Sequence, residues 1–374
     1  MPHYLLSSHD GFGLGHVRRN IVIARALLDA DPSASVTVVT GVRARPAWLE
    51  DARISVVAVP PLLKDASGTY RNPGMSFQAA IDARARLFSA TVDAVAPDVV
   101  VVDRHPFGVA GELRRGLDRA RAGGAITVLG LRDVLDQPEA VAQELSGRGW
   151  LGVGDSFDEV LVYGERCLCD HQAEYGLPIA PRYCGWVTEA PARSLVDPDV
   201  VIVAAGGGGD GQRLFHLGID VLRQRPGRRA ILVAGPYASF LRTRVLTESP
   251  DVRARLQLWD QVPSCVGLFA QAGASVQMAG YNSTFEALAA GLRPILVPRR
   301  APRREQAIRA TRLAALGLAD VVDEAVDPAD VAWLLDRDRH LPGGVVAGAG
   351  IRLDGAERVA RHLGALATRR AARV

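Results

Sequence analysis

The chain has 374 residues, of which 48% are hydrophobic and 23% charged, with a formal net charge of +3. This length exceeds one ordinary hydrophobic core, so we expect two domains of roughly 150–200 residues, and the small net charge gives no support for nucleic-acid binding. The sequence contains neither a secretory signal pattern nor the roughly 20 consecutive apolar residues of a transmembrane helix. We therefore expect a cytoplasmic protein, and peripheral contact with a membrane is left open.

Short strands alternate with helical patterns through the first half of the chain. The strands are rich in β-branched residues and are predicted over residues 3–8, 35–41, 54–60, 98–103, 125–131 and 159–164. The intervening helices are predicted over Val17–Ala30, Phe77–Ala96, Val109–Ala122 and Pro138–Leu145. Buried strands separated by helices predict a parallel sheet with helices on both faces.

The alternation stops at Trp186–Asp199, where prolines and scattered charges indicate a linker. It then restarts, with strands over 199–205, 228–236, 256–259, 275–280 and 293–299, and helices over Asn282–Ala290, Glu305–Leu316 and Glu357–Arg370. We divide the chain into two Rossmann-like α/β domains, 1–186 and 200–353, a linker, 187–199, and a C-terminal helix in 354–374 that can return to the first domain.

The sequence provides no pattern typical of a metal site. Among the four cysteines only Cys167 and Cys169 are close, and no second pair completes a zinc set, so reduced thiols are expected. The two Asp-x-Asp pairs, at 197–199 and 336–338, lie away from the glycine loops and are interpreted as surface acids. We predict neither a metal nor a cofactor.

A glycine loop, GFGLGH at 11–16, joins the first strand to the first helix, and its Gly13 and Gly15 are candidate acceptor-binding residues. By itself the loop is equally consistent with a tight strand-to-helix turn. His16 lies at the helix start, where the helix dipole disfavours the imidazolium. A neutral imidazole can serve as a general base near pH 7.

Asp103 ends the apolar strand 98–103, and ligand chemistry in parallel sheets collects at the carboxyl ends of strands. A carboxylate there could orient His16 and stabilise its imidazolium. The alternative is that Asp103 caps the turn before Pro106, and His105 is a competing base. Arg132 and Asp133 end another strand; they are predicted either to line the acceptor cleft or to form a structural ion pair.

Two segments of the second half predict an anion site. The loop AAGGGGDG contains Gly207, Gly208 and Gly209, whose backbone N–H groups can form an anion nest. In the segment from Gly280 to Gly291, a helix N-terminus can bind phosphate, and Asn282, Ser283 or Thr284 can cap it. Glu286, expected in the first turn, can reach ribose hydroxyls; the alternative is a capping acid on a surface helix.

The segment RRAPRREQ, 299–306, follows the last strong strand. Glu305 and Gln306 can form hydrogen bonds with sugar hydroxyls. This segment contains four arginines. We expect one of them, Arg303, to neutralise the charge of a diphosphate.

These motifs together resemble those of the GT-B nucleotide-sugar glycosyltransferases, especially enzymes like the one that adds N-acetylglucosamine to the lipid intermediate of peptidoglycan. The resemblance lies in GFGLGH, LWDQVPSCVGLFAQAGASVQMAG, AGYNSTFEALAAGLRPILVP and EQAIRATRLAALG. It implies two Rossmann-like domains whose parallel sheets face across a cleft, with the acceptor on the N-terminal domain and the donor on the C-terminal domain. It also implies that backbone near Val262 meets the nucleobase and that Gln306 contacts the sugar.

We accordingly expect an inverting, metal-independent glycosyltransferase. It would transfer a hexose from a nucleoside-diphosphate sugar, UDP-linked, to a small-molecule, natural-product or lipid acceptor. His16 would deprotonate the acceptor with support from Asp103. A nucleotide-sugar hydrolase or 2-epimerase of the same fold, and a non-catalytic nucleotide-sugar-binding subunit, remain as alternatives.

Overall fold

The computed structural model describes residues 1–8, 14–42, 51–64, 69–192, 194–206, 211–235, 238, 240–260, 262, 264–323 and 325–372. The chain divides into two compact units. Unit 1 comprises Met1–Val187 together with Asp354–Val374, and unit 2 comprises Thr188–Leu353. Within the described ranges, no helix is long and apolar enough to cross a membrane.

Unit 1 alternates strands with helices. Its strands are β1 (His3–Ser7), β2 (Ser35–Thr40), β3 (Ile54–Ala58), β4 (Leu63–Lys64), β5 (Tyr70–Arg71), β6 (Val99–Asp103), β7 (Ile126–Arg132), β8 (Glu159–Tyr163) and β9 (Pro181–Tyr183). Its helices are α1 (Gly15–Ala30), α2 (Phe77–Val95), α3 (Arg114–Ala122), α4 (Pro138–Leu145), α5 (Val153–Ser156), α6 (His171–Tyr175) and a C-terminal helix described below.

Seven parallel strands form the sheet of unit 1 in the order β3-β2-β1-β6-β7-β8-β9, and β4 and β5 form a separate antiparallel pair. The strand order reverses between β1 and β6, which are hydrogen-bonded neighbours. In open α/β sheets, ligands bind beyond the carboxyl ends of the strands at such a reversal. The segments after β1 and β6 are therefore the expected functional edge.

Unit 2 repeats this plan with different lengths. Its strands are β10 (Asp197–Ala204), β11 (Arg229–Val233), β12 (Leu256–Trp259), β13 (Ala272–Gln277), β14 (Ile295–Leu296) and β15 (Asp320–Val321). Its helices are α7 (Gln212–Gln224), α8 (Phe240–Leu246), α9 (Pro250–Ala254), α10 (Val266–Phe269), α11 (Tyr281–Ala289), α12 (Glu305–Ala315), α13 (Pro328–Leu335) and α14 (Val345–Gly348).

The six strands of unit 2 are also parallel, in the order β12-β11-β10-β13-β14-β15. Apolar side chains are buried on both faces of this sheet: Val203 and Val276 belong to one cluster, and Ile202 and Ala204 to the other. Here the order reverses between β10 and β13. The segments after these two strands contain the glycine loop and the start of α11.

The C-terminal helix, α15 (Gly355–Ala371), packs against α1, β6 and β7 of unit 1. The Gly355 N–H donates to the Trp186 carbonyl at 3.0 Å, and a Cβ at Gly355 would come within 2.5 Å of the Trp186 backbone. Arg358 forms an ion pair with Glu165 at 2.6 Å. A glycine start and a charged pair thus fix this helix to unit 1.

Several boundaries differ from the sequence prediction, among them those of α3 and β10. Helix α3 begins at Arg114, whereas the sequence predicted Val109, because Gly108 and Gly111 adopt positive φ angles and Glu112 accepts the Ala110 N–H. Strand β10 begins at Asp197, inside the predicted linker 187–199. Helix α4, by contrast, runs from Pro138 to Leu145 as predicted, with proline in the first turn, where its missing N–H costs nothing.

Candidate functional site

His16 and Asp103 meet at the strand-order reversal of unit 1. His16 is the second residue of α1, which follows β1, and Asp103 is the last residue of β6. Nδ1 of His16 lies 3.3 Å from Oδ2 of Asp103. The Asp103 side chain is fully buried, whereas the His16 side chain retains 18% exposure. The pair therefore has the arrangement in which a buried carboxylate orients a partly accessible imidazole.

Arg19 is a third member of this cluster that the sequence reasoning missed. Its Nη2 donates to Oδ1 and Oδ2 of Asp103, each at 2.7 Å, and lies 3.1 Å from Nδ1 of His16. The side chain is buried, and its guanidinium lies over the Tyr163 ring at 5.0 Å. The available signal was its spacing, because residues three apart on a helix share one face.

The charges of this cluster perturb its titration. Burial lowers the pKa of His16 below its ordinary value; Asp103 opposes this shift, while Arg19 and Arg132 add to it. Burial alone would raise the pKa of Asp103, but Arg19 and His16 outweigh burial, and that pKa lies below its usual range. The cluster thus favours an ionised Asp103 and a neutral His16, the state that a general base requires.

The other predicted acceptor residues have different surroundings. Gly15 is the first residue of α1, and Gly13 lies outside the described residues. Arg132 ends β7, and its Nη2 donates to the Leu135 carbonyl at 3.3 Å. The Asp133 carboxylate is buried and accepts the Val134 N–H at 2.9 Å and the Trp186 indole N–H at 3.1 Å. These contacts give Asp133 a structural role, and its contact with an acceptor remains a prediction.

His105, the competing base, follows Asp103 on a turn of unusual backbone geometry. Arg104 and His105 have φ angles of 51° and 38°, in the left-handed region that non-glycine residues rarely adopt. Glu144 of α4 accepts from Arg104 at 3.1 Å and lies 3.8 Å from Nδ1 of His105. His105 is therefore associated with a different carboxylate, and Asp103 pairs with His16.

In unit 2, Gly280 precedes α11, and two details of the predicted motif change. The helix begins at Tyr281, so Asn282, Ser283 and Thr284 lie inside its first turn, and Gly280 occupies the cap position. Glu286 lies in the second turn, whereas the sequence placed it in the first. The Thr284 side chain is fully buried, while Asn282 and Ser283 are half-buried.

The Glu286 carboxylate is held by a neighbouring helix start. Its Oε2 accepts the Cys265 N–H at 3.0 Å, and Cys265 caps α10. An unsatisfied N–H group at a helix N-terminus favours a negative charge. Glu286 is therefore a buried carboxylate, 3% exposed, that the start of α10 fixes in place.

Arg299, in the segment between β14 and α12, forms hydrogen bonds with the first two residues of α12. Its Nη2 donates to Oε1 of Glu305 at 2.9 Å, and its backbone N–H donates to Oε1 of Gln306 at 3.3 Å. Glu305 and Gln306 are both buried at the start of α12, and Arg303 is half-buried just before it. Arg299 thus positions the two residues that were predicted to contact a sugar.

The remaining predicted donor residues are only partly described. Gly207, Gly208 and Gly209 lie outside the described residues. Val262 is half-buried and packs against the cluster that contains Phe269. Trp259, which the sequence reasoning did not select, ends β12 three residues earlier, and its indole is 41% exposed. An exposed indole three residues from Val262 in the chain offers a ring on which a nucleobase can stack.

The two Asp-x-Asp pairs have protein partners. Asp197 pairs with Arg229 and accepts the Asp199 N–H at 3.1 Å, and Asp336 pairs with Arg225 at 2.6 Å. Among the residues that the structure describes, no three His, Cys, Asp or Glu side chains are grouped so that they could hold a metal ion.

No protein-family model matches this sequence, and no curated protein matches it. Solved structures do match over nearly the whole chain. The glycotransferase of kitacinnamycin is 17% identical, with a TM-score of 0.62, covering 99% of this chain and 98% of its own. MurG from Acinetobacter baumannii is 14% identical, with a TM-score of 0.57, covering 97% and 95%. UGT71G1 from Medicago truncatula, complexed with UDP-glucose, is 14% identical, with a TM-score of 0.62, covering 98% of both chains.

These likenesses establish the fold. Two α/β units, each with a parallel sheet, match the fold of glycosyltransferases along almost the full length of the chain. The predicted GT-B fold is therefore confirmed.

Proposed function

We propose that this protein is an inverting glycosyltransferase that transfers a sugar from a nucleoside-diphosphate sugar, UDP-linked, to a hydroxyl of a small-molecule, natural-product or lipid acceptor. The observation that carries the proposal is the His16–Asp103 pair at the strand-order reversal of unit 1. A fold shared with glycosyltransferases, one of them complexed with UDP-glucose, supports the donor class.

His16 acts as the general base in this proposal. Its Nε2 accepts the proton of the acceptor hydroxyl while the acceptor oxygen attacks the anomeric carbon. The bond between that carbon and the diphosphate breaks, and the nucleoside diphosphate leaves with the bonding electrons. Nδ1–H of the imidazolium then donates to the ionised Asp103 carboxylate, which stabilises the new charge.

Unit 2 binds the donor in this proposal. Glu286 accepts from the ribose hydroxyls, and the first turn of α11 with Gly280, Asn282 and Ser283 receives the diphosphate. The indole of Trp259 and the backbone near Val262 receive the nucleobase, while Glu305 and Gln306 contact the sugar. Gly207–Gly209 and Arg303 add N–H donors and a positive charge around the leaving group.

Metal independence is part of the proposal. The N-terminus of α11 and an arginine can carry the developing diphosphate charge without a cation. The protein partners of Asp197 and Asp336 support this view, because those carboxylates are already neutralised.

The deciding experiment measures nucleotide release. A thermal-shift screen against UDP, GDP, dTDP and CDP first identifies the nucleotide, since a ligand that binds the folded state raises Tm. The matching nucleotide sugars are then incubated with acceptor mixtures. Acceptor-dependent release of UDP supports the transferase. Release without an acceptor indicates a hydrolase, altered sugar stereochemistry indicates a 2-epimerase, and binding without turnover indicates a non-catalytic subunit.

A further inference from the structure

The proposed reaction uses His16 and Asp103 but assigns nothing to Arg19, which is buried between them. Arg19 lies one helical turn after His16 on α1, and its side chain is only 3% exposed. One nitrogen, Nη2, contacts both carboxylate oxygens of Asp103 at 2.7 Å and Nδ1 of His16 at 3.1 Å. A buried guanidinium at this position must affect the imidazole directly.

The contact between Arg19 and His16 depends on where the imidazole carries its hydrogen. A guanidinium only donates hydrogen bonds, so the 3.1 Å contact is favourable when Nδ1 carries a lone pair. Nη2 has two hydrogens, so one of them points to Nδ1 when the two Asp103 oxygens share the other. The neutral ring then has its hydrogen on Nε2. When Nδ1 carries a hydrogen, as in the other neutral form and in the imidazolium, two N–H groups oppose each other across this contact.

Asp103 favours the opposite form. A carboxylate only accepts hydrogen bonds, so the 3.3 Å contact between Oδ2 and Nδ1 is favourable when Nδ1 carries a hydrogen. In that form Nε2 has the lone pair that accepts a proton from the acceptor. Arg19 and Asp103 therefore compete for one ring nitrogen, and the shorter contact belongs to Arg19.

Arg19 and Asp103 also have opposite effects on the charge of His16. Arg19 on α1 and Arg132 at the end of β7 both disfavour a positive charge on His16, and Asp103 at the end of β6 favours it. Because Arg19 also forms an ion pair with Asp103, it weakens the support that the carboxylate gives to the imidazolium. On β8, the centre of the Tyr163 ring lies 5.0 Å from the guanidinium carbon of Arg19.

We propose that Arg19 is a positioning residue that sets both the tautomer and the proton affinity of His16. The inference rests on the proposed role of His16 as the base. In the resting protein Arg19 holds the ring with its hydrogen on Nε2. His16 becomes a competent base when the guanidinium donates to Asp103 alone and the ring hydrogen resides on Nδ1.

The direct test needs no activity measurement and no variant of Arg19. Histidine labelled with ¹⁵N gives separate Nδ1 and Nε2 chemical shifts by long-range ¹H–¹⁵N spectroscopy, and the His16 signals are assigned by their loss in His16→Ala. We expect neutral His16 in the wild-type protein to carry its hydrogen on Nε2. A neutral ring with its hydrogen on Nδ1 would overturn the inference.

The second test uses Arg19→Met, which removes the charge and the donors but keeps an unbranched side chain. We expect the His16 hydrogen to move to Nδ1, and both the His16 titration and the acidic limb of kcat/KM to shift to higher pH. Arg19→Lys retains a positive charge beside Asp103 and should stay closer to wild type. If Arg19→Met does not fold, the wild-type tautomer and the Arg19→Lys titration still decide the matter.

Arg25→Gln is the matched control. Arg25 lies on the same helix, about 13 Å along the axis from His16 at 1.5 Å per residue, and pairs with Asp51 at 3.5 Å near the surface. Loss of this charge should leave the His16 tautomer and titration unchanged. Equal shifts of the His16 titration in Arg19→Met and Arg25→Gln would show that the effect comes only from the net charge of the protein. That result would overturn the inference. A protein without transferase activity but with the expected tautomer would contradict the proposed function alone.

Discussion

In unit 1 the two strands at the reversal of strand order lead to ionisable side chains, whereas in unit 2 strand β13 leads through a glycine to a helix N-terminus. Strand β1 is followed by His16 on α1, and β6 ends in Asp103, whose charge is shared with Arg19. Strand β13 leads through Gly280 into α11, and its carboxylate, Glu286, is fixed by a backbone N–H. Similar sheets thus lead to two different local arrangements of charge.

In the proposed function, the same topology serves two different tasks. Buried, mutually contacting charges in unit 1 shift each other's titration, which suits proton transfer. Helix N-termini in unit 2 offer fixed donors whose charge does not change near pH 7, which suits binding of an anionic ligand. We therefore expect variants of unit 1 to change turnover and variants of unit 2 to change nucleotide affinity.

The largest expected effect is that of His16→Ala. Removal of a general base should lower kcat by roughly 10²–10⁴-fold, while the affinity for the nucleotide, measured by calorimetry, stays at the wild-type value. Turnover is measured as release of the nucleoside diphosphate. Such a split between turnover and affinity would support the division of tasks between the units.

His105→Ala serves as the comparison variant for His16→Ala, because it also removes an imidazole from the edge beyond β6. Near-normal turnover in His16→Ala together with a large loss of turnover in His105→Ala would identify His105 as the general base. The pairing of His105 with Glu144 would then replace the His16–Asp103 pair in the mechanism.

The second effect is that of Glu286→Ala on donor binding. Loss of a charged hydrogen bond should weaken nucleotide binding by about 1–3 kcal/mol, or about 5- to 150-fold in Kd, as measured by calorimetry. Glu357→Ala removes an exposed carboxylate from α15 and should leave Kd unchanged. Unchanged affinity in Glu286→Ala would remove this residue from the donor site.

A smaller effect is expected from mild acid, and it should begin in unit 1. Burial lowers the pKa of His3, His16 and His171, all in unit 1. The unfolded chain therefore binds more protons than the folded protein once the pH falls below about 6.5, the ordinary value for histidine. Above that pH these histidines make their full contribution to the free energy of unfolding, and this contribution is lost as the pH decreases.

Hydrogen exchange at pH 7 and pH 5 tests the acid prediction. Between pH 7 and pH 5, the amides of unit 1 should lose more protection from hydrogen exchange than those of unit 2. The Tm of the protein should also fall. His171→Gln should reduce the pH dependence of Tm, since this buried ring contacts the Cys169 and Arg132 carbonyls. Uniform loss of protection in both units would contradict the contrast between them.

The smallest expected effect is that of a chelator. Turnover should survive EDTA, because a helix N-terminus and an arginine are proposed to carry the diphosphate charge. Loss of activity in EDTA that Mg²⁺ or Mn²⁺ restores would contradict this account. It would direct attention to Asp210 beside the glycine loop, which lies outside the described residues.

Local sequence patterns were sufficient to predict many of the helices and strands and several of the residues at their ends. Periodicity placed α1, α2 and α4 within two residues of their observed bounds, and a run of valines placed Asp103 at the end of β6. These features depend on hydrophobic spacing, proline and β-branched residues, all of which act over a few neighbouring positions.

Which strand ends lie together, and which groups surround each charge, could be learned only from the tertiary structure. The order of strands makes β1 and β6 neighbours although their residues are about 95 positions apart, and this pairing brings Arg19 onto Asp103. The same holds for the Cys265 N–H that fixes Glu286 and for Trp186, which covers Asp133. Such contacts follow from the packing of distant segments, which local spacing does not encode.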